Sequence, residues 1–473
     1  MKKIFMGVRL KRLREERRLT QQALASTLGL SLSYLNQIEN NQRPLTVAVL
    51  LKLNAAFGID VQLFSEDDEA RLIADLREAL SASQIAETIA TADLRELAVN
   101  MPAVGRALVD LNRRYRQAIE QSAALAAQLG DDRQADAAIL PSTPYEEVRD
   151  FFYARHNYVA ELDVAAEQLA HRLAPDGFVS YEVLLRHLTS QHNITVLTDD
   201  GSSPDVNRRF DARSKALHLS RTLLPGQRAF QLATQIAMLD CADALNALVD
   251  QARFTNQDTR GLARIGLANY FAGALIMPYG HFRAAAKRLR YDIELLGQTF
   301  GVGFETICHR LSTLQRPAAR GVPFFFIRVD RAGNISKRQS ATDFHFSRIG
   351  GTCPLWNVYE AFVNPGRILT QIARMPDERT YLWIARTVKP RTGGYGSLNK
   401  TFAVALGCDI RHADEIVYAR GLDTHDPAFA TPIGIGCKVC ERTSCPQRAF
   451  PPAGRPLAVD ENRSPVAPYA TIS

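Results

Sequence analysis

Thr20-Gln21-Gln22-Ala23-Leu24-Ala25-Ser26-Thr27-Leu28-Gly29-Leu30-Ser31-Leu32-Ser33-Tyr34-Leu35-Asn36-Gln37-Ile38-Glu39-Asn40 spells out two short helices together with their ends. Thr20 is a side-chain N-cap ahead of Gln21 to Ala25, and Ser31 is another ahead of Leu32 to Asn40. Gly29 supplies the turn between them. Leu35 and Ile38 fall on the inner face of the second helix. A further helix starts after Pro44, with Thr46 as its cap. Residues 8–57 hold five helix-sized apolar patterns, and two short helices around a glycine turn describe a helix-turn-helix.

The second helix of such a pair enters the major groove of DNA and turns its outward side chains to the base edges. By that geometry Ser33, Asn36 and Gln37 face the bases, with Leu32 at the leading edge. Gln21 sits at a helix N-terminus, where amide donors hold a phosphate. Arg12, Arg14 and Arg43 add phosphate-directed charge. The run Leu28 to Asn40, ending in Ile38-Glu39-Asn40 with Arg43 and Pro44 beyond, closely resembles the Cro/C1 (XRE-type) helix-turn-helix. That resemblance implies a dimer reading two half-sites of double-stranded operator DNA.

Around this module the chain is long and ordinary in composition. Its 473 residues suit about three domains, and 46% hydrophobic residues allow a sizeable core. The net charge of +7 is compatible with an anionic partner, and the clustering of basic residues between Arg9 and Arg18 is more informative than the total. No apolar run reaches the ~18 residues of a membrane helix. Charges resume at Arg9, Lys11 and Arg12, so a secretory signal is not expected and the cytoplasm is. Seven cysteines in a cytosolic chain argue against structural disulfides.

The texture of the chain sets the expected organisation. Residues 1–65 form the all-α DNA reader. Residues 66–144 form a helical connector, a candidate for dimerisation, with Pro102 parting two helices and a linker from Gly130 to Pro144. Residues 145–315 form an α+β domain with strands at 194–197 and 216–219 and helices at 226–240 and 260–276. Residues 316–455 form an α/β sensor domain that opens with a hairpin, Phe324 to Asp330 and Ile335 to Arg338 around Ala332-Gly333-Asn334. Residues 456–473 form a flexible tail. The expected fold class is multidomain, mainly α and then α/β. No internal repeat is visible.

Leu232-Ala233-Thr234-Gln235-Ile236-Ala237-Met238 runs like a zinc-protease helix that has lost its zinc. Such a helix needs two histidines four residues apart and a glutamate between them as general base. Thr234, Gln235 and Met238 stand there instead. Gly266 to Pro278 resembles the third-ligand helix of ImmA/IrrE-type metallopeptidases, and Ile265 occupies the ligand position. With both histidines, the base and the third ligand replaced, no catalytic residue is expected. Arg208 to Asp211 and the strand after it fit the same frame as a hairpin. An emptied cleft suits a small ligand. Tyr270, Phe271, Phe324 and Phe326 offer an apolar lining, and Arg328, Lys337, Arg338 and Arg348 a cationic rim, as an acyl chain on a phosphate-bearing carrier requires.

Gly434-Ile435-Gly436-Cys437-Lys438-Val439-Cys440-Glu441-Arg442-Thr443-Ser444-Cys445-Pro446 aims three thiolates at one centre. Cys408 is the expected fourth metal ligand and Cys353 its rival. Cys241 and Cys308 read as buried thiols. Four thiolates suit zinc or an iron–sulfur cluster. A single C-x2-C pair and the Cys445-Pro446 step favour [4Fe–4S], with zinc as the alternative.

Taken together, the XRE-type reader, the degenerate protease frame, Val322 to Asp330 and Cys437 to Pro451 resemble the short-chain fatty-acyl transcriptional regulators over residues 7–455. The resemblance implies a non-enzymatic regulator of propionate or acetate metabolism, through the methylcitrate cycle or the glyoxylate shunt. It implies a short-chain acyl-CoA effector and, in some members, an iron–sulfur cluster. Two other readings compete. One is a metal-dependent protease acting on a repressor. The other is a regulator whose input is the cluster's redox state.

Overall fold

The computed structural model describes residues 7–17, 19–40, 42–57, 66–81, 89–128, 144–175, 178–199, 206–342, 344, 352–388, 400–437, 440–451, 457, 459, 461–463, 466 and 469. They belong to two compact units, one of residues 1–140 with 453–456, the other of residues 141–452 with 457–473. The expected linker before Pro144 and most of the expected tail lie outside the described residues, as does Arg348.

The first unit begins with four helices, α1 (Gly7–Glu16), α2 (Gln21–Leu28), α3 (Leu32–Glu39) and α4 (Val47–Phe57). Five patterns were expected in this stretch; among its described residues Val47 to Phe57 runs as one unbroken helix. The caps are those read from the sequence. Thr20 Oγ1 accepts from the Ala23 amide at 3.1 Å, and Ser31 Oγ accepts from that of Tyr34 at 3.2 Å. Gly29 ends α2 at φ 58°, a left-handed conformation that costs a glycine little. Leu10, Leu24, Leu28, Leu35, Ile38 and Leu53 close a small core. Helices α5 (Glu66–Ser81), α6 (Thr91–Asn100) and α7 (Pro102–Gln128) follow. Pro102 opens α7, where its missing N–H costs nothing. Leu72 and Leu76 pack there with Leu94 and Ala98.

The second unit starts with α8 (Pro144–Ala154), α9 (Ala160–Leu173) and α10 (Tyr181–His192). Strands β1 (Thr195–Asp199), β2 (Arg208–Asp211) and β3 (Ala216–Ser220) form a sheet of order β1-β3-β2, with β1 parallel and β2 antiparallel to β3. Then come α11 (Pro225–Asp240), α12 (Ala242–Gln251), α13 (Gln257–Ile276), α14 (Tyr279–Arg288), α15 (Ile293–Phe300) and α16 (Phe304–Leu311). Both helices expected from the protease frame are present as α11 and α13, and they pack against each other. No single helix among the described residues is long and apolar enough to cross a membrane.

The remainder is β4 (Phe325–Val329), β5 (Ile335–Ser340), α17 (Asn357–Glu360), β6 (Leu369–Arg374), β7 (Thr380–Val388), β8 (Phe402–Asp409), a 3-10 turn (Ile410–Glu415) and β9 (Thr431–Pro432). The sheet order is β5-β4-β8-β7-β6-β9, antiparallel throughout except at β6–β9. The α/β class expected for the C-terminal sensor domain therefore gives way there to a mixed, mainly antiparallel sheet, while the expected multidomain plan of helices and sheets stands. The strands are joined by hairpins such as β4–β5, whereas parallel neighbours need a crossover of a dozen or more residues.

Side chains alternate across this sheet. Phe325, Ile327, Ala403, Ala405 and Trp383 face a core with Phe344, Cys353 and Trp356. Phe324, Phe326, Val404, Leu406 and Cys408 face the helices. The helices themselves are tied by a buried ion pair. The Arg310 guanidinium donates to Asp163 at 2.9 and 3.1 Å and to the Met277 carbonyl at 3.1 Å. Tyr270 Oη donates to the same carboxylate at 2.6 Å and accepts from the Val159 amide.

Asp163 and Arg310 are 0% and 2% exposed. Asp163→Ala should therefore strand a buried cation and cost roughly 3–5 kcal/mol, whereas Asp163→Leu with Arg310→Met should recover much of it. Urea unfolding followed by tryptophan fluorescence checks both.

Candidate functional sites

The recognition helix presents what its sequence implies. Leu32, Ser33 and Asn36 lie exposed on α3, and Gln37 is half-buried. Leu35 and Ile38 are fully buried beneath them. Arg43 is exposed, with its guanidinium 5.5 Å from the centre of the Tyr34 ring. Arg12's side chain lies outside the described residues.

Two expected phosphate contacts are engaged within the protein. Arg14 donates to both oxygens of Glu39 at 2.8 and 3.1 Å and to the Leu19 carbonyl at 3.2 Å. Gln21 Nε2 donates to Glu39 at 2.7 Å and to Asn36 Oδ1 at 3.4 Å. Asn36 also accepts from Asn40 at 2.9 Å. Glu39, only 3% exposed, is thus the acceptor that locks α1 and α2 onto α3. Arg14 is a clamp rather than a free cation, and Gln21 fixes the angle at which Asn36 is presented. Sequence reading missed Glu39 because a glutamate on a short polar helix looks solvated.

In the protease frame, Thr234 and Gln235 are buried in α11. Thr234 Oγ1 donates to the Phe230 carbonyl at 2.8 Å and lies 3.4 Å from Asn269 Oδ1. Met238 packs on the core, and Ile265 is 48% exposed. None of the four offers the imidazole or carboxylate that a zinc protease requires.

The expected ligand lining is buried. Tyr270, Phe271, Phe324 and Phe326 are core residues, none more than 4% exposed. Burial beside Asp163 pushes the Tyr270 hydroxyl well above its ordinary range. The expected rim is partly spent as well. Arg328 pairs with Glu305 at 2.8 Å, bonds Ser336 and covers the Phe402 ring, and Lys337 shares Glu305 at 3.3 Å. Arg338 lies on β5 opposite Ile327 and is half-buried. An apolar run cannot say which of its rings meet solvent; here all four rings are buried.

The thiols converge, with one substitution in the expected set. Cys353, Cys437, Cys440 and Cys445 line one cavity. Cys408 does not join them. It lies on β8 beside Leu382 and faces the helices, on the opposite side of the sheet from Cys353. The loop is held from three sides. Trp356 Nε1 donates to the Gly434 carbonyl at 3.0 Å, and the Gly434 amide meets Cys353 Sγ at 3.4 Å. Arg442 donates to the carbonyls of Ile433 and Arg374. Arg448, 4% exposed, donates to those of Cys437, Cys440 and Arg442. A side chain at Gly434 would put its Cβ 2.6 Å from Cys440 Sγ. Burial raises the Cys353 thiol to about 11 and pushes Cys440 up, the latter eased by Arg448 and Arg442. Arg448 Nε is buried without a hydrogen-bond partner. Four thiols, two adjacent guanidiniums and an unsatisfied donor fit a group bound through anionic sulfur. Of the two cysteines expected elsewhere, Cys308 is buried and Cys241 is half-buried at the joint between α11 and α12.

Comparison with known proteins finds family matches in three regions of the chain. Residues 10–64 match a helix-turn-helix family, residues 189–312 the IrrE N-terminal-like domain, and residues 313–469 the family described as short-chain fatty acyl coenzyme A regulator, C-terminal. The chain is 49% identical to the HTH-type transcriptional regulator PrpR of Mycobacterium tuberculosis, over 99% of this chain and 96% of that one. It is 50% identical to the regulator RamB of the same organism, over 99% of both chains. It is 45% identical to a propionyl-CoA carboxylase regulator of Cereibacter sphaeroides, again over 99% of both. A solved structure titled Mycobacterium tuberculosis transcriptional regulator superposes with a TM-score of 0.67 at 52% identity, covering 70% of this chain and all of that one.

Removing the Glu39 carboxylate tests the clamp. Glu39→Ala should lose roughly 1.5–3 kcal/mol of local stability, the range for hydrogen bonds to charged groups. Faster amide hydrogen exchange in α2 and α3 is the readout.

Proposed function

The chain belongs to the short-chain fatty acyl coenzyme A regulator family, and from that membership we propose that it is a DNA-binding transcriptional regulator whose effector is a short-chain acyl-CoA. The observation that carries this reading is the pairing, in one chain, of an outward-facing recognition helix with a regulator domain over residues 313–469. Its genes are those of propionyl-CoA disposal or acetate use; the name of the Cereibacter sphaeroides relative supports the first. It works in the cytoplasm as a homodimer on two half-sites. On the DNA, Ser33, Asn36 and Gln37 meet base edges, Leu32 the groove wall, and Arg43 phosphate.

Zinc proteolysis is not part of this function. Thr234 spends its hydroxyl on a helix carbonyl, and Gln235, Met238 and Ile265 supply neither base nor ligand. The protease frame is retained as a scaffold that carries the sheet.

The thiol cavity holds a [4Fe–4S] cluster on Cys353, Cys437, Cys440 and Cys445, with zinc the alternative occupant. A cluster supplies a one-electron redox couple; zinc would supply only a crosslink. Arg442 and Arg448 offset the negative charge of four thiolates, and the narrow turn at Gly434 lets Cys440 approach. Redox sensing through this site is compatible with acyl-CoA control. It predicts that oxidant changes operator affinity with no acyl-CoA added.

Three measurements check this reading. Propionyl-CoA or acetyl-CoA should change operator affinity in fluorescence anisotropy, and no response to any short-chain acyl-CoA would remove the effector. Asn36→Ala should cost about 1–3 kcal/mol of operator binding and relax specificity at one base pair. After anaerobic purification, Cys353→Ser should lose metal while Cys408→Ser retains it; the opposite result by elemental analysis restores Cys408 as the fourth ligand.

A further inference from the structure

A second set of metal-ligating side chains lies away from the thiols. His187 Nε2 is 2.7 Å from one oxygen of Asp240, and His192 Nε2 is 2.5 Å from the other. One donor atom from each of the three lies within 4.8 Å of the other two. The imidazoles meet edge to face, with ring centres 5.8 Å apart. All three side chains are partly covered, at 11, 26 and 21% exposure for His187, His192 and Asp240, which leaves one side open to water.

The backbone around them favours a cation independently. His192 is the last residue of α10 and Asp240 the last of α11. Both residues therefore sit in the last turn of their helices, where the partial negative charge of the helix end favours a cation nearby. Two imidazoles, one carboxylate and an open position are also the donor set of many divalent-metal sites. The site is not the old protease centre. Asp240 lies two positions beyond Met238, about 200° around the helix. It meets α10, whereas Thr234 meets Asn269 of α13.

We propose that His187, His192 and Asp240 bind one divalent transition-metal ion, joining the ends of α10 and α11 independently of the C-terminal thiols. Each imidazole binds as its neutral form through Nε2, keeping its remaining proton on Nδ1, and Asp240 binds as the carboxylate. Any proton that Nε2 shares with Asp240 before binding moves to Nδ1 or to solvent. Water completes the coordination.

Cobalt(II) titration of the full-length chain tests this, because sulfur and nitrogen ligation have different spectra. Thiolate-bound cobalt shows an intense sulfur-to-metal charge-transfer band, whereas a His2Asp site shows only weak ligand-field absorption. The expected result is one equivalent of the second kind, displaced by zinc. His187→Gln and Asp240→Asn should each weaken it by more than about tenfold, at least the loss seen when only a supporting partner of a metal ligand is removed. The thiolate-type signal should be unchanged. Far-UV circular dichroism confirms folding, and His192→Gln replaces either variant that fails that check. If the wild-type chain shows only thiolate-type cobalt, or the folded variants titrate like wild type, the trio is a pair of hydrogen bonds and the proposal falls.

Discussion

The second unit depends on a buried charge that must not be left alone. Arg310 sits at the end of α16, just before the chain enters the sheet, and meets Asp163 of α9 with almost no access to water. A buried guanidinium is tolerable only when its donors are satisfied, and here Asp163, the Met277 carbonyl and Thr313 Oγ1 do so. Tyr270 brings α13 to the same carboxylate, and Arg316 adds a second cation 3.7 Å from it. Apolar packing alone would let these helices slide. A bidentate pair has one geometry, so it fixes the body on which the sheet is mounted.

From that body the sheet divides the C-terminal half into two interiors. One is continuous with the helices and contains Phe324, Phe326 and Cys408; the other contains Phe325, Trp356, Trp383 and Cys353. The thiol loop closes the second, through the bond from Trp356 to the Gly434 carbonyl. The aromatic residues and the cavity thiols on that side are therefore one mechanical assembly. At the other end of the chain, Glu39 plays a comparable role on a smaller scale, since a single carboxylate sets the approach of three helices.

What could be read in the sequence follows the range of the interactions. The helix caps at Thr20 and Ser31 are local, within three residues, and were legible. So was the clustering of three cysteines within nine residues. The fourth thiol was not, because choosing between Cys353 and Cys408 requires knowing which way a strand residue points. That depends on register, and a shift of one residue reverses it. The side of the sheet that Phe324 and Phe326 face was illegible for the same reason. His187, His192 and Asp240 were invisible because α10 and α11 bring them together across a gap of 48 residues. The first hairpin of the six-stranded sheet, β4–β5, was legible from its turn, whereas the pairing of the later strands was not.

The two faces of β8 also partition sulfur chemistry. Cys408 is fully buried, and burial holds its thiol protonated, well above the ordinary range. Cys353 and the loop cysteines share a cavity on the other face. A disulfide needs sulfur atoms about 2 Å apart, and a sheet thickness stands between these two sets. Oxidising equivalents that arrive at the loop can crosslink only its own members. The sheet thus keeps the cavity thiols from pairing with Cys408 in the core that faces the helices.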